Sequence, residues 1–388
     1  SLSAALFCRS RTIDVTSRPK ARKRAATRRP TSPQPAINAA AGNAACKSPS
    51  GIFMTRQVYL ADRPQSFSVE DNETLLAAGL RHGLALPFGC QSGGCGSCRV
   101  PLIRGEIDYP FAPPALSDAE RDAGYILMCL ARAKTDLTIA LHHPAQLDDL
   151  RPRQLPVRAA HKAWLAHDVL GLTLKLPKGD GFQYLPGQYV DLLIDDGRRR
   201  SFSVANRPNG ETLELHIRVT PEGRFANWAA NEMPERAILR LEGPLGAFYL
   251  REDSQRPIVM VAGGTGIAPI HAMLDELLTS GAQRAVHLLW GTRSLRDLYL
   301  DERLKRWAMQ YPQFRYTPVL SEPDATWKGA SGFVHEALLQ AHPTLAGHEA
   351  YLSGPPVMVR AGKDACIKAG VDADHLYYDS FDYAYQTW

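Results

Sequence analysis

The sequence predicts three folded domains in succession: a small mixed α+β domain, an antiparallel β-barrel and an α/β domain built on a parallel sheet. Three observations predict this order. Residues 54–145 mix short strands and helices around a loop rich in glycine and cysteine. From about 157 to 250 nearly every segment resembles a short strand bounded by glycine, proline or aspartate, as in a small barrel. From 257 onward apolar strands alternate with helical segments, which is typical of a parallel sheet.

In the first domain, a helix over 74–82 places Leu75, Leu76 and Leu80 on one face, and Asn72 is its candidate cap. A hairpin is expected from the first two strands because both runs are short and alternate in polarity. The remaining predicted elements are strands at 57–60, 66–69, 99–104 and 137–141 and a helix at 117–123.

A linker over 143–156 contains three prolines among charged residues, and it separates the first domain from the second. We therefore place the domains at 54–145, 152–253 and 254–388. The barrel strands are predicted at 171–176, 188–194, 201–205, 212–219 and 237–242. The last domain is predicted to hold strands at 258–262, 286–290, 316–320 and 350–353 and helices at 268–280, 301–309, 334–340 and 357–370.

The net positive charge of the chain comes entirely from its N-terminal stretch. Residues 1–53 carry ten Lys or Arg and one acid, which leaves 35 basic and 39 acidic side chains for the rest. A slightly acidic folded part argues against nucleic acid as a partner. No run approaches 18 apolar residues, so no membrane span is expected. We expect the reducing cytoplasm as the compartment, because seven cysteines are too few for a disulfide scaffold of this length. We also expect a monomer.

Residues 1–53 are rich in alanine, arginine, serine and proline and lack hydrophobic periodicity. One interpretation is an organelle transit peptide, since the stretch is rich in arginine and poor in acids. The other is a disordered or non-native extension, with the true start at Met54, where ordered sequence begins. We favour the second.

Four cysteines have the spacing of an iron–sulfur site. Cys90, Cys95 and Cys98 form C-x4-C-x2-C, and Cys129 follows later in the chain. This is the plant-type ferredoxin spacing for a [2Fe–2S] cluster, with three thiolates from one loop and the fourth from elsewhere. The alternatives are buried free thiols or a structural zinc site, but zinc sites usually have paired C-x2-4-C knuckles, and the second knuckle is missing. The absence of a Cys-His pair excludes a Rieske centre.

Two further motifs suggest nucleotide cofactors. Arg200-Ser201-Phe202-Ser203 follows the sequence Pro-Gly-Gln-Tyr at 186–189, and strand alternation puts Arg200 and Phe202 on one face. The run Gly263-Gly264-Thr265-Gly266 follows an apolar strand and opens a helix, so a pyrophosphate can approach its backbone.

Together these motifs resemble ferredoxin–NAD(P) reductases with a fused N-terminal plant-type [2Fe–2S] ferredoxin domain, as in reductase components of bacterial ring-hydroxylating oxygenases. The resemblance covers residues 54–388 and implies a β-grasp ferredoxin domain, an FAD-binding barrel and an NAD-binding domain. It also implies that Arg200 pairs with the flavin pyrophosphate, Phe202 packs on the flavin, and Ser203 bonds near its reactive nitrogen. Further residues resembling flavin-contacting elements of the family are His216, Ile217, Arg218, Val219, Gly223, Arg224 and Phe225.

The resemblance also implies the nicotinamide site. Arg293 follows the second nucleotide strand, and it faces either the adenosine ribose or solvent. Ser353-Gly354-Pro355-Pro356 resembles the family's C-G-P-P motif, with Ser353 in place of cysteine, and Phe381 lies in a C-terminal aromatic segment that covers the flavin in relatives. Ser203, Thr265, Ser353 and Phe381 are the residues expected at the reacting atoms.

The expected function is electron transfer from NADH through FAD and the [2Fe–2S] cluster to a separate protein, because a flavin joins a two-electron donor to a one-electron acceptor. The acceptor is predicted to be the terminal oxygenase of an aromatic-ring hydroxylating system. One alternative is a reductase for CDP-6-deoxyglucoseen-type deoxysugar biosynthesis. Another is a non-catalytic redox sensor that retains the fold.

Overall fold

The computed structural model describes residues 55–84, 86–89, 91–94, 96–141, 150–194 and 198–381. The predicted extension at 1–53, Met54, Cys90, Cys95 and most of the predicted linker lie outside these residues. Among the described helices the longest have 13 residues, too short and too polar to cross a bilayer.

The first domain has a five-stranded mixed sheet in the order β2-β1-β7-β3-β5. The predicted hairpin is confirmed, since β1 pairs antiparallel with β2. Alternate residues Val58 and Leu60 of β1 are buried against Phe67 and Val69 of β2. The elements are β1 (Arg56–Leu60), β2 (Ser66–Val69), α1 (Leu75–Arg81), β3 (Arg99–Arg104), β4 (Ile107–Asp108), α2 (Asp118–Asp122), β5 (Tyr125–Leu127), β6 (Arg132–Ala133) and β7 (Leu137–Ile139).

The predicted cap of α1 is wrong. Thr74 is the cap, and its hydroxyl accepts a hydrogen bond from the Ala77 backbone N–H at 3.2 Å. Asn72 lies in the preceding turn with φ of 64°, a left-handed conformation that asparagine tolerates. The helix therefore begins closer to Leu75 than the position of Asn72 implied.

The second domain is a six-stranded sheet in the order β11-β10-β13-β8-β9-β12, with every pair antiparallel. An isolated bridge between Val204 and Leu215 joins the chain after β11 to the other edge strand, β12. The elements are β8 (Arg153–Ala166), β9 (Val169–Lys175), β10 (Tyr189–Leu193), β11 (Arg199–Ser203), β12 (Thr212–Arg218), α3 (Arg224–Asn231) and β13 (Ile238–Leu245).

Strand β8 corrects the predicted linker, which extended to residue 156. The strand begins at Arg153 and runs for 14 residues. Leu155, Val157 and Ala159 are buried in the core of this domain, and Pro156 pairs with Arg240 of β13. Pro156, one of the three prolines that suggested a linker, therefore lies within a strand, which pairs with the distant β13 and with the neighbouring β9.

The third domain is a six-stranded parallel sheet in the order β17-β16-β15-β14-β18-β19, as the alternating pattern predicted. Successive residues of β14 point to opposite faces of the sheet and pack in two different hydrophobic cores, with Met260 in one and Val261 in the other. The elements are β14 (Ile258–Gly263), α4 (Ile267–Thr279), β15 (Val286–Thr292), α5 (Asp301–Gln310), β16 (Phe314–Leu320), β17 (Ala330–Ser331), α6 (Val334–Ala341), β18 (Glu349–Gly354), α7 (Pro356–Lys368) and β19 (Leu376–Ser380).

Candidate functional site

A cavity of about 720 Å³ lies between the second and third domains, at the carboxyl edge of the parallel sheet. Ligands of open α/β sheets bind at this edge. The cavity brings together eight of the predicted site residues, namely Arg218, Val219, Gly263, Gly264, Thr265, Arg293, Pro355 and Phe381.

The glycine turn after β14 forms one wall. Gly264 has φ of 54°, and a Cβ on Gly266 would lie 2.1 Å from the Ser353 carbonyl oxygen, so a larger residue at 266 does not fit. The Trp290 indole N–H donates a hydrogen bond to the Gly264 carbonyl at 3.0 Å and so holds the turn in place. Because Gly263 and Gly264 line the cavity without side chains, a ligand such as a pyrophosphate can approach the backbone there closely.

Arg218 crosses from the second domain to this turn. Its Nη1 donates to Asp168 Oδ2 at 2.5 Å, and its Nη2 would lie 3.2 Å from a Cβ on Gly264. The side chain is 19% exposed, so its charge is only partly screened by water. A cation fixed above a glycine turn fits the charge of a nucleotide pyrophosphate.

The nicotinamide motif lies at the end of β18. Ser353 is fully buried, in register with Ala262 of β14 and Asp379 of β19, and its hydroxyl has no hydrogen-bond partner in the described part of the chain. Such a hydroxyl is costly to bury, but Ser353 is not among the residues that line the cavity, so its contact with the nicotinamide stays a prediction. Gly354 packs against Gly263, and its carbonyl accepts a hydrogen bond from the Phe381 backbone N–H at 2.9 Å. Pro355 and Pro356 begin α7.

Two side chains on the rim carry opposite charge. Arg293 is exposed, whereas Asp297 is 8% exposed and accepts hydrogen bonds from the Ser294 N–H and hydroxyl at 2.9 and 2.8 Å. Burial opposes ionisation of Asp297, but the two hydrogen bonds outweigh it and hold its pKa below the usual range. The cavity therefore carries a fixed carboxylate beside the predicted ribose contact.

The two serines of the flavin motif on β11 form hydrogen bonds to two different strands, β10 and β19. Ser201 donates to Asp191 Oδ1 at 2.6 Å, within the sheet, while Ser203 donates to Asp379 Oδ2 of β19 at 3.4 Å. Phe202 packs on Phe225 with ring centroids 5.6 Å apart, and Arg200 is half-buried. The end of β11 thus meets the third domain at Ser203.

The N-terminus of helix α3 has no side-chain cap. Gly223 stands at its N-terminus without a side-chain cap, and Arg224 beside it is exposed. Phe225 packs between Phe202 and Trp228. Uncapped N–H groups at a helix start favour an anion, as the flavin pyrophosphate would supply.

His216 and Ile217 do not face the cavity. His216 is 7% exposed, and its Nε2–H donates to Glu214 Oε1 at 3.3 Å, which lowers the pKa of that carboxyl. Its Nδ1 lies 3.1 Å from the Tyr299 hydroxyl oxygen. Ile217 is buried in the core of the second domain. Their flavin contacts stay a prediction.

The sequence motifs missed part of the cavity wall. Phe333 and Val357 are 61% and 78% exposed although both are apolar, and both line the cavity with Met358 and Asp168. No motif marks them. A signal was available only for Phe333, an aromatic residue directly before a predicted helix.

The two described cysteines of the predicted cluster are adjacent. Cys98 and Cys129 are 2% and 6% exposed, and the Cys129 N–H donates to Cys98 Sγ at 3.4 Å. Gly93 and Gly96 in the loop have φ of 79° and 70°. Converging thiols with a backbone N–H on sulfur fit the ligand set of an iron–sulfur cluster.

The cysteine loop contacts both other domains. The Tyr189 hydroxyl of β10 donates to the Gly89 carbonyl at 3.1 Å. On its other side, Gly96 lies against Tyr378 of β19, where a Cβ would come within 2.0 Å of the hydroxyl oxygen. The predicted cluster loop therefore packs beside the strands that meet at Ser203.

Three family models match consecutive segments of the chain: a 2Fe-2S iron-sulfur cluster binding domain over 58–134, an oxidoreductase FAD-binding domain over 156–249 and an oxidoreductase NAD-binding domain over 260–364. The chain is therefore an oxidoreductase with [2Fe–2S], FAD and NAD as its cofactors.

Individual relatives match more than four fifths of this chain and nearly all of their own length. CDP-6-deoxy-L-threo-D-glycero-4-hexulose-3-dehydrase reductase of Yersinia pestis is 37% identical over 81% of this chain and 95% of its own length. Reductase component 2 of terephthalate 1,2-dioxygenase from a Comamonas species is 32% identical over 84% of this chain and 98% of its own. The crystal structure of the Amycolatopsis cytochrome P450 reductase GcoB superposes with a TM-score of 0.65, at 32% identity, over 84% of this chain and 99% of that one.

Matches of this identity and length, together with the order of the three domain models, establish that the chain belongs to the family of reductases in which a [2Fe–2S] ferredoxin domain is fused to FAD-binding and NAD-binding domains.

Proposed function

We propose that this chain takes electrons from NADH and delivers them, through FAD and its [2Fe–2S] cluster, to a terminal oxygenase that hydroxylates aromatic rings. The single observation that carries the proposal is the packing of β19, which contacts the end of the flavin strand at Ser203 and the cluster loop at Gly96. When bound, the flavin accepts a hydride and releases electrons one at a time, which the nicotinamide cannot do.

In this proposal the residues of the large cavity bind and orient the dinucleotide. Arg218 and the turn at Gly264 hold its pyrophosphate. Ser353, which is buried behind the turn and in register with Ala262, would reach the nicotinamide ring edge with its unpartnered hydroxyl. Thr265 and Phe381 flank the reacting atoms and exclude water. Asp297 lies where it would repel a 2′-phosphate, which favours NADH over NADPH.

The flavin is assigned to the second domain, whose closed antiparallel sheet we take to be the flavin barrel. Its pyrophosphate would lie at the uncapped start of α3 near Arg200 and Arg224. Phe202 would pack on the flavin ring, and Ser203 would donate a hydrogen bond near the reactive nitrogen. The [2Fe–2S] cluster would be held by Cys90, Cys95, Cys98 and Cys129.

A second candidate acceptor is a deoxysugar-forming dehydratase. The observation that favours it is the 37% identity to the Yersinia pestis reductase, which exceeds the 32% identity to the Comamonas dioxygenase reductase component. The two candidates share every step within this chain and differ only in the protein that receives the electrons. Reconstitution of NADH-driven turnover with each class of acceptor separates them.

The electron path is tested with Cys98→Ala. The second and third domains have their own cores, so the variant should still bind flavin and reduce ferricyanide with NADH. Reduction of cytochrome c, which we expect to proceed from the cluster, should fall at least tenfold. Cys366→Ala is the matched control, because Cys366 is a buried cysteine of α7 outside the cluster. If both dye activities fall together while flavin stays bound, the linear path is wrong.

A further inference from the structure

A group of four side chains, Arg99, Glu120, Lys363 and Tyr378, lies where the cluster domain contacts the NAD-binding domain, beside a further hydrogen bond from Tyr125 to Asp374. Arg99 of β3 pairs with Glu120 of α2, and its Nη2 donates to the Ala373 carbonyl of the third domain at 2.6 Å. From the third domain, Lys363 of α7 donates to the Tyr378 hydroxyl at 3.0 Å and lies 3.9 Å from Glu120 Oε1. Glu120 of the cluster domain therefore lies between Arg99 of its own domain and Lys363 of the third domain.

These contacts are shielded from solvent. The side chains of Arg99, Glu120 and Lys363 are 11%, 12% and 18% exposed. Burial alone would raise the pKa of Glu120, but Lys363, the hydrogen bonds from Ser117 and Arg99 together outweigh burial and hold the pKa below its usual range. Removing one partner from such a group leaves a buried charge uncompensated, unlike the loss of a surface ion pair.

The same residues position the strand between the two redox sites. Lys363 Nζ lies 4.1 Å from the centre of the Tyr378 ring as well as bonding its hydroxyl, so the ring has a fixed place. That hydroxyl lies against Gly96 of the cluster loop, and the next residue, Asp379, contacts Ser203. A shift of Tyr378 would therefore change the separation between the cluster loop and the flavin strand.

We propose that Arg99, Glu120, Lys363 and Tyr378 form an interdomain latch that sets the rate of electron transfer from the flavin to the cluster by holding the cluster loop against β19. The proposal rests on the proposed function. Each transfer oxidises the flavin by one electron and reduces the cluster by one, with no heavy-atom bond made or broken. The latch side chains are positioning residues, since they reach the redox centres only through Gly96 and Ser203.

The test is Lys363→Met, which keeps the length of the side chain and removes its charge. After rapid mixing with NADH, bleaching of the flavin should proceed at the wild-type rate, while cluster reduction, followed by freeze-quench EPR, should be about tenfold slower. That factor corresponds to the loss of one hydrogen bond to a charged group. Lys368→Met is the matched control, because Lys368 is an exposed lysine at the end of the same helix.

Lys363→Arg should restore the cluster phase, and the EPR signal and potential of the cluster should not change in any variant. A cluster phase within about twofold of wild type in Lys363→Met would overturn the latch. If that variant fails to load its cofactors, Tyr378→Phe, which removes only the hydroxyl, should show the same selective slowing, and a wild-type rate there would likewise overturn it. Failure of NADH to bleach the wild-type flavin would instead refute the proposed function.

Discussion

Arg218→Met tests whether the cation above the glycine turn binds the dinucleotide. Arg218 Nη2 lies near Gly264, and the side chain is 19% exposed, so a hydrogen bond to a bound phosphate would be poorly solvated. A hydrogen bond to a charged group contributes about 1.5–3 kcal/mol. At about 1.4 kcal/mol for each factor of ten, we expect the KM for NADH to rise about 10- to 100-fold, with a smaller effect on kcat.

Part of that loss would come from Asp168, because its carboxylate pairs with Arg218 and would face the ligand alone in the variant. Adding Asp168→Asn should therefore recover some of the affinity lost in Arg218→Met, a coupling that the double-mutant cycle measures. Arg240→Met, at an exposed arginine of the same domain, is the control.

The assay is NADH-dependent ferricyanide reduction, with flavin content measured from the absorbance of released flavin. Flavin content matters because the sequence motif assigns Arg218 to the flavin. Loss of flavin with an unchanged KM in the remaining holoenzyme would support that assignment. A KM within about twofold of wild type at full flavin content would refute both the dinucleotide contact and the magnitude.

Three further predictions concern the same domains. NADH should have a higher kcat/KM than NADPH, and Asp297→Asn should narrow the difference because the carboxylate held ionised at the cavity is removed; a wild-type preference for NADPH would contradict this. Ser353→Cys should bind NADH and reduce flavin at least as fast as wild type, since a thiol is close in size to the hydroxyl; stopped-flow bleaching measures it, and a large rate loss would assign Ser353 a distinct role. Burial lowers the pKa of His271 to about 4, from an unfolded value near 6.5, so the unfolded state binds the proton more tightly. The contribution of the neutral ring to folding stability is therefore fully present above pH 6.5. The free energy of unfolding should fall by up to about 3 kcal/mol as the pH drops to 4. Denaturation midpoints across that window should change less in His271→Asn, and parallel profiles would count against the assignment.

The neutral form of His271 follows from its contacts. Its Nδ1 lies 2.7 Å from the Ala205 carbonyl, which only accepts, so this nitrogen carries the proton. Arg303 Nη1 lies 3.1 Å from Nε2 and donates to it. A second proton on the ring would face that guanidinium, which agrees with the direction of the pKa shift.

The order of the domains and the parallel sheet could be predicted because they depend on local signals. The spacing of hydrophobic residues has a period of two in the strands and of 3.6 in the helices, and it can be read within a few residues of each element. Glycine turns such as Gly263–Gly266 are contiguous in sequence. The same is true of the hairpin formed by β1 and β2. Each of these features is specified by neighbouring residues, so no distant contact was needed to identify it.

Features specified by distant residues were missed. Strand β8 contains Pro156 of the predicted linker, and its ladder with β13 joins residues about 80 to 90 positions apart, although it also pairs with the neighbouring β9. Helix α3 is short and has no side-chain cap to mark its start. The hydrogen bond from Arg99 to Ala373 spans 274 residues, and neither residue belongs to a motif. These contacts depend on how the domains pack, which local periodicity does not encode.

Strand β19 gives the three domains a common point of contact. Its Tyr378 meets the cluster loop, its Asp379 meets the flavin strand and pairs in register with Ser353 of the nicotinamide motif, and Phe381 after it bonds Gly354. Side chains of successive strand residues point to opposite faces, so Tyr378 and Asp379 face different neighbours because of the pleat. If the three groups bind as proposed, we expect this one parallel edge strand to set the order of nicotinamide, flavin and cluster in space, although the cluster domain comes first in the chain.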